Sequence, residues 1–139
     1  MAYTAKLSAE DRLDILELLA KADSAASQRN AAVYAACFVA DAVLDGAQGR
    51  YEGRTSLAES VGPIWSREGR ASVHLTLNAV LAPSDDADHV VASSTLLIVA
   101  PNATPGTPAT VIGVAAITQH VVRTDSGWRI ARRTVGAAT

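Results

Sequence analysis

The chain has 139 residues, 49% of them hydrophobic and 19% charged, which is the balance of a single globular domain spanning residues 1–139. The formal net charge is −2 with both signs scattered along the chain, so the sequence offers no basic stripe for nucleic acid and no polybasic anchor for a membrane. No apolar run approaches the roughly 18 residues of a membrane span, no signal peptide is evident, and the only cysteine, Cys37, has no partner for an internal disulfide. We therefore expect a cytoplasmic protein whose partners are small molecules or proteins.

Two helices are predicted before residue 40. Ser8 is followed by two acids within three residues, which is typical of a helix start, because the hydroxyl caps free amides and acids favour the positive end of the helix dipole. At about 100° per residue this helix has one broad apolar face, and Asp23 falls near the middle of it. Arg29 and Asn30 end the helix, and AAVYAACF, residues 31–38, predicts a shorter second helix.

Short β-type segments follow from residue 41. AVLDG and RYEG, separated by turn glycines, predict a small hairpin. Ser56 with Glu59 three residues later is a capping box, which predicts the start of a third helix. Because proline disrupts helices, Pro63 predicts that this helix is restricted to short pieces.

The second half of the chain is predicted to be sheet. Residues 72–81 alternate between apolar and polar, residues 90–100 are rich in β-branched side chains, and residues 110–123 form a long strand that ends at the turn TDSG. Residues 128–135 then pair back as the last strand. Helices followed by a run of antiparallel strands predict an α+β fold in which the sheet curls around the helices.

Several motifs in this order resemble the SnoaL-like branch of the nuclear transport factor 2 (NTF2-like) superfamily. They are LSAEDRLDILELLAKAD in the first helix, AAVYAACFVADAVLDG leading into the first strand, YEGRTSLAE at the third helix, VHLTLNAV in the third strand and VVRTDSGWRIARRTV at the end. The resemblance covers nearly the whole chain and implies a cone of curved antiparallel sheet closed by helices. It also implies an apolar pocket for a small molecule and chemistry without a metal or an organic cofactor, but it does not specify a reaction.

The catalytic residues of the family are only partly present. Enzymes such as scytalone dehydratase and hexachlorocyclohexane dehydrochlorinase pair an aspartate late in the first helix with a histidine on the third strand, and the resemblance places His74 at the histidine position. The position of the aspartate falls on Ser27, and the aspartate of the G-x-Y-x-D motif in the penultimate strand falls on Gln119. Small or neutral residues have therefore replaced much of the usual set of catalytic residues of the family.

Asp23 is the candidate to replace the missing aspartate. It precedes Ser27 by four residues, so on a helix it projects from the same face one turn earlier. We predict a displaced dyad, in which Asp23 holds one nitrogen of the His74 imidazole and the other nitrogen exchanges a proton with the substrate. The alternative interpretations are that Asp23 lies in water at the pocket mouth or hydrogen-bonds a backbone amide, and that His74 is a structural histidine bonded to a neighbouring loop.

Five further residues are candidates for substrate binding. The amphipathic aromatic side chains of Tyr34 and Trp65 suit a pocket wall, although packing alone is the commoner fate of such residues. Arg132, which matches the arginine of the family in GWRIARR, is the candidate to meet an anionic substrate group. Ser27 and Asn78 are the polar candidates, and their alternative roles are a small filler for Ser27 and a bond to a buried backbone group for Asn78.

The alternation of the third strand also predicts a partner surface. If His74 faces the pocket, the apolar side chains of this strand lie on the outside of the sheet. These apolar residues are Val73, Leu75, Leu77 and Ala79. Because dimers in this superfamily cover that face, the resemblance implies a homodimer formed through the outer sheet face.

Two functions are consistent with these patterns. The first is a cofactor-independent enzyme of the lyase, isomerase or cyclase type, which acts on a mostly apolar compound with His74 as general base or acid and Asp23 orienting it. The alternative is a binding or accessory protein that kept the pocket and lost the chemistry. A third option is a dimeric scaffold with a filled cone, although the many alanines of the first helix favour a real pocket. His89 and His120 show no metal-ligand spacing, so no metal is expected.

Overall fold

The computed structural model describes residues 7–46, 48–67, 72–102 and 104–136. The helices are α1 (Ala9–Ser27), α2 (Ala31–Ala36) and α3 (Arg54–Arg67). The strands are β1 (Phe38–Gly46), β2 (Gly49–Glu52), β3 (Val73–Pro83), β4 (His89–Ala100), β5 (Thr110–Thr124) and β6 (Gly127–Gly136). No helix in the described residues is long and apolar enough to cross a membrane.

The first two helices begin at the predicted positions. The Ser8 hydroxyl accepts a hydrogen bond from the backbone N–H of Asp11 (3.1 Å), and α1 ends before Arg29, whose φ of 58° is incompatible with a right-handed helix. The side chain of Asn30 then caps α2, because its Oδ1 atom accepts a hydrogen bond from the backbone N–H of Val33 in the first turn. The prediction that the second helix extends to residue 38 is wrong, because Phe38 already pairs with β6 as the first residue of β1.

The third helix differs from the prediction at its start and at its proline. It begins at Arg54 rather than at the capping box of Ser56. The preceding Gly53 has a φ of 91°, a conformation that suits glycine and lets the chain turn sharply from β2 into the helix. Pro63 lies inside one continuous helix, because burial of the apolar face compensates for the missing hydrogen bond of a single proline. The buried residues of this face are Leu57, Val61 and Trp65.

All six strands form one curved sheet in the order β2-β1-β6-β5-β4-β3. Neighbouring strands are antiparallel except β1 and β6, which run parallel. Register shifts occur between β1 and β6, between β3 and β4, between β4 and β5, and between β5 and β6. Such bulges bend a strand and increase its twist, so the sheet curves and its concave face packs against the helices. The predicted α+β cone is confirmed.

Strand β3 lies at the edge of the sheet, and α1 covers its free side. The backbone N–H of His74 donates to the Ser27 hydroxyl (3.0 Å), and that of Thr76 donates to the Asp23 carboxylate (2.8 Å). The spacing between Asp23 and Ser27 along α1 matches the spacing between Thr76 and His74 along β3, because four residues of a helix and two residues of a strand each advance by about 6–7 Å. Two helix side chains thus take the place of a neighbouring strand and pair amides that an open edge would leave exposed.

The convex face of the sheet carries exposed apolar side chains. Leu75 and Leu77 are 38% and 41% exposed, so these two residues of the predicted apolar face lie outside, whereas the bulge after Leu77 removes Ala79 from that face. Across the sheet, Leu75 lies opposite Leu97 of β4, and Leu97 lies opposite Val114 of β5, which is 66% exposed. Three strands therefore present a continuous apolar strip, defined here by Leu75, Leu77, Leu97 and Val114.

Candidate functional site

A cavity of about 530 Å³ opens between the concave face of the sheet and the helices α2 and α3. Apolar side chains make up much of its wall, among them Leu44, Val61, Ile64, Leu96, Ile98 and Val135. Polar side chains in the wall include Tyr34 of α2, His74 of β3 and Arg133 of β6. This size and this mixture of many apolar and few polar groups are typical of small-molecule sites. The cone is hollow rather than filled.

His74 lies in the wall of the cavity and is 6% exposed. Its inward position follows from the alternation of β3, in which Leu75 turns outward. The hydrogen bond from its backbone N–H to Ser27 fixes the main chain at this point. Imidazole is the side chain best suited to take up and release protons near neutral pH, so the cavity holds a group capable of acid–base chemistry.

The Asp23 carboxylate is bound by Thr76. Its Oδ2 atom accepts from the Thr76 backbone N–H (2.8 Å), and its Oδ1 atom accepts from the Thr76 hydroxyl (2.9 Å). Of the alternatives considered for this residue, the bond to a backbone amide is therefore present in the structure. A carboxylate has about four lone-pair sites, so a dyad with His74 would add a further bond to two oxygens that are already engaged. The dyad stays a prediction.

Arg133 is a buried cation in the cavity wall, and the sequence interpretation missed it. It is 3% exposed. Its Nη2 atom lies 3.9 Å from Oδ1 of Asp23, and its guanidinium carbon lies 5.7 Å from the centroid of the Tyr34 ring. Its Nη1 atom has no hydrogen-bond partner among the described residues. A buried guanidinium with an unpaired donor is suited to bind a ligand oxygen.

Arg132, the arginine predicted to meet the substrate, lies on the opposite face of β6. Its Nη2 atom is 3.5 Å from Oδ2 of Asp45, and both side chains are partly exposed. Strict alternation from the buried Ile130 would turn Arg132 inward, but β6 has one extra residue, Ala131, where its register against β5 shifts. This bulge turns Arg133 inward instead. No local sequence signal marks the bulge, so the sequence favoured the wrong member of the arginine pair for the cavity wall.

Gln119 is a second buried polar residue to which the sequence interpretation gave no role. It lies opposite Arg133 on β5, is 1% exposed, and its Oε1 atom has no hydrogen-bond partner among the described residues. The signal that could have marked it is its position, since it stands where the family motif has an aspartate. The hydroxyl of Ser94 on β4 is also buried without a partner in the described part of the chain. These atoms extend the polar part of the concave face beyond His74 and Arg133.

The remaining candidates take different positions. Tyr34 and Trp65 are each 4% exposed, line the cavity and contact each other edge to face, with ring centroids 5.3 Å apart. Ser27 lies in the groove between α1 and β3, where its hydroxyl accepts the His74 N–H. Asn78 is exposed at the bulge of β3 with a φ of 57°, a conformation that asparagine tolerates well. The two aromatic rings therefore form part of the cavity wall, whereas Ser27 and Asn78 shape the edge strand.

In the part of the chain that the structure describes, titratable groups outside the cavity show no arrangement for metal binding. Within the described ranges, no group of three or more histidine, cysteine, aspartate or glutamate side chains could hold a metal ion. His89 and His120 lie on the convex face with ring nitrogens 2.9 Å apart, and burial, together with the neighbouring histidine, lowers the pKa of His120. Burial raises the pKa of the Cys37 thiol, which is therefore a poor nucleophile.

Solved structures of the same fold superpose on nearly the whole chain. A protein of unknown function with a cystatin-like fold from Nostoc punctiforme has a TM-score of 0.81 at 23% sequence identity, covering 94% of this chain and 93% of that one. Aln2 from a Streptomyces species has a TM-score of 0.83 at 20% identity, covering 95% and 94%. An NTF2-like superfamily protein from Salmonella enterica has a TM-score of 0.79 at 12% identity, covering 94% and 92%. At these identities the similarity shows the fold alone.

The family follows from the sequence match. No curated protein is significantly similar in sequence to this chain. The SnoaL-like domain family, however, matches residues 7–134, which is most of the chain. The resemblance inferred from the helix and strand motifs is thereby confirmed. The chain belongs to the SnoaL-like domain family.

Proposed function

We propose that this protein is a cofactor-independent enzyme of the lyase, isomerase or cyclase type, which acts on a small and mostly apolar molecule bound in the cone. The observation that carries the proposal is the position of His74, a buried imidazole in the wall of an apolar cavity of about 530 Å³. Reactions of these types require a proton to be removed from carbon or delivered to a leaving group. A histidine within reach of the bound substrate is the commonest side chain for that step.

In this proposal His74 removes a proton from a carbon next to a substrate carbonyl. Negative charge then develops on the carbonyl oxygen, and Arg133 supports the step because its cation lies in the same cavity wall. Tyr34 and Trp65 hold the apolar part of the substrate. Asp23 has two routes of action, either orienting the imidazole in the predicted dyad or positioning Arg133, from which it lies 3.9 Å away.

The test is the exchange of a carbon-bound proton for solvent deuterium, because this readout does not require the natural product to be known. We expect the protein to accelerate loss of the C2 proton signal of 1-tetralone in D₂O, as followed by NMR. His74→Gln should abolish the acceleration, whereas His120→Gln, a histidine on the convex face, is the matched control and should not. If Asp23→Asn loses the acceleration of exchange to the same extent as His74→Gln, the result supports the dyad. A rate retained in both His74→Gln and Asp23→Asn would refute the proposal.

A non-catalytic binding protein is the second candidate, and the surroundings of Ser27 favour it. Ser27 stands at the position of the family aspartate, and its hydroxyl is engaged by the backbone of His74. Asp23 directs both carboxylate oxygens to Thr76. This candidate predicts ligand affinity without deuterium exchange, and His74→Gln should then change affinity or stability only. Calorimetry and the exchange experiment on the same ligand distinguish the two functions.

We further propose that the protein is a cytoplasmic homodimer formed through the apolar strip. The exposed leucines and valine of the convex face support this, because a continuous apolar surface on a soluble domain is typical of an interface. Light scattering after size-exclusion chromatography should give twice the chain mass, and Leu77→Asp should give the monomer. Leu13→Asp on α1, where the leucine is 62% exposed, is the matched control. Cell fractionation tests the location.

A further inference from the structure

Three buried polar atoms on the concave face have no hydrogen-bond partner among the described residues: Ser94 Oγ, Gln119 Oε1 and Arg133 Nη1. Gln119 and Arg133 lie directly opposite each other on β5 and β6. Ser94 on β4 lies opposite Ile117, and is thus the diagonal neighbour of Gln119. The three residues form a polar row across adjacent strands. Because buried polar atoms are nearly always paired, this row indicates a partner that the described residues do not supply.

The chemistry of the polar row defines what the partner must offer. A guanidinium only donates hydrogen bonds, an amide oxygen only accepts them, and a hydroxyl does both. The partner therefore needs an acceptor for Arg133 and a donor for Gln119, within the few ångströms that separate facing side chains. A carbonyl with a hydroxyl on the neighbouring carbon meets both needs. A hydrocarbon or a halogenated hydrocarbon meets neither and would leave both atoms unpaired.

The surroundings of Arg133 favour a neutral carbonyl over a second carboxylate. Nη2 of Arg133 lies 3.9 Å from Oδ1 of Asp23, so the charge of the guanidinium is partly balanced within the protein. The guanidinium carbon lies over the Tyr34 ring, 5.7 Å from its centroid. The unpaired Nη1 atom remains for a ligand. An oxygen that is neutral in the bound state and gains charge during reaction suits a cation that already has one counter-charge.

We infer that the pocket selects an oxygenated ligand, namely an apolar ring system with a carbonyl and a hydroxyl on adjacent carbons, and that Arg133 and Gln119 recognise these two groups. Arg133 lines the cavity and Gln119 lies beside it, so the oxygenated end of the ligand points toward β5 and β6. The ring system then lies against Tyr34 and Trp65. The inference rests on the proposed function in that both place a small molecule in the same cavity.

Isothermal titration calorimetry with four ligands of one ring system tests the inference. Tetralin carries neither group, 1-tetralone the carbonyl, 1-tetralol the hydroxyl and 2-hydroxy-1-tetralone both. We expect 2-hydroxy-1-tetralone to bind at least about tenfold more tightly than tetralin, because a hydrogen bond from a charged donor contributes that much to affinity. Equal affinity for all four ligands, or no measurable binding of any of them, would overturn the inference.

Two substitutions assign each preference to its residue. Arg133→Met should remove the preference for 1-tetralone over tetralin, and Gln119→Met should remove the preference for 1-tetralol over tetralin. Arg132→Met, on the opposite face of β6, is the matched control and should leave all affinities unchanged. If Arg133→Met does not fold by circular dichroism, Arg133→Lys keeps the charge, loses the planar fork and should weaken the carbonyl preference. Variants that reduce the affinity for all four ligands equally would show that the residue has a packing role, and would contradict the assignment of each preference to Arg133 or Gln119.

Measurements on His74→Gln separate this inference from the proposed function. A preference for 2-hydroxy-1-tetralone that persists in His74→Gln, while the native protein shows no deuterium exchange, supports the ligand class and rejects the enzyme. Native protein that exchanges the C2 proton of 1-tetralone but binds all four ligands equally rejects the ligand class and supports the enzyme.

Discussion

Replacement of Asp23 by alanine should strongly destabilise the fold. The carboxylate accepts hydrogen bonds from the N–H and the hydroxyl of Thr76, and it lies 3.9 Å from Arg133. The side chains of Arg133 and Asp23 are only 4% and 13% exposed, so water screens this charge pair little. Asp23→Ala therefore leaves a buried guanidinium without its counter-charge and an edge amide of β3 without its acceptor.

The expected loss in the free energy of unfolding is about 3–5 kcal/mol. Two hydrogen bonds to a charged acceptor account for about 3 kcal/mol, and the uncompensated Arg133 adds to this. Asp23→Asn keeps an oxygen for the Thr76 N–H but removes the charge, so its loss should be smaller, about 2 kcal/mol. Ser24→Ala is the matched control on the same helix, because Ser24 is exposed and its substitution should cost no more than about 0.5 kcal/mol.

Urea unfolding followed by circular dichroism measures these losses through the linear dependence of the free energy of unfolding on denaturant. A double-mutant cycle of Asp23→Asn with Arg133→Met should give a coupling energy of at least about 1 kcal/mol, since the two side chains are neighbours. A loss below about 1 kcal/mol for Asp23→Ala, or additive effects in the cycle, would refute this account of Asp23.

Three further predictions concern other contacts. Asp11 accepts hydrogen bonds from Arg123, and these bonds lower the pKa of the Asp11 carboxyl from 3.8 to about 2. The contribution of Asp11 to stability is therefore complete above about pH 4 and is lost as the pH falls toward 2. Asp11→Asn should flatten the fall in thermal melting temperature over that pH range. The buried Cys37 thiol, whose pKa is raised by desolvation, should react with a thiol reagent at pH 8 only as the chain unfolds; rapid reaction of the native protein would contradict its burial. Ser27→Ala should cost about 1–3 kcal/mol in urea unfolding, because the His74 N–H loses its acceptor; an unchanged midpoint would show that water replaces the hydroxyl.

Most elements of the fold could be predicted because their signals are local. The cap at Ser8, the break at Arg29 and Asn30, and the alternation of β3 each involve residues close in sequence. The boundaries that were wrong depend on distant contacts. Phe38 joins β1 because it pairs with Ile130 of β6, and α3 continues through Pro63 because its apolar face packs on the core.

The candidate site likewise contains residues that the sequence could predict and residues that it could not. His74, Tyr34 and Trp65 line the cavity, and periodicity together with the family resemblance was sufficient to nominate them. Arg133 was missed because the bulge at Ala131 reverses the alternation of β6, and a bulge is a property of the register between two strands. Gln119 received no role because its importance comes from lying opposite Arg133.

The sequence by itself determined the order of helices and strands and which residues share a face of each element, because hydrophobic periodicity and capping act over a few residues. Only the tertiary structure decided which arginine enters the cavity and which group Asp23 binds. Asp23 and Thr76 are 53 positions apart, and their contact depends on where α1 lies along the edge of the sheet. That placement results from packing of the whole core, and no local pattern of residues encodes it.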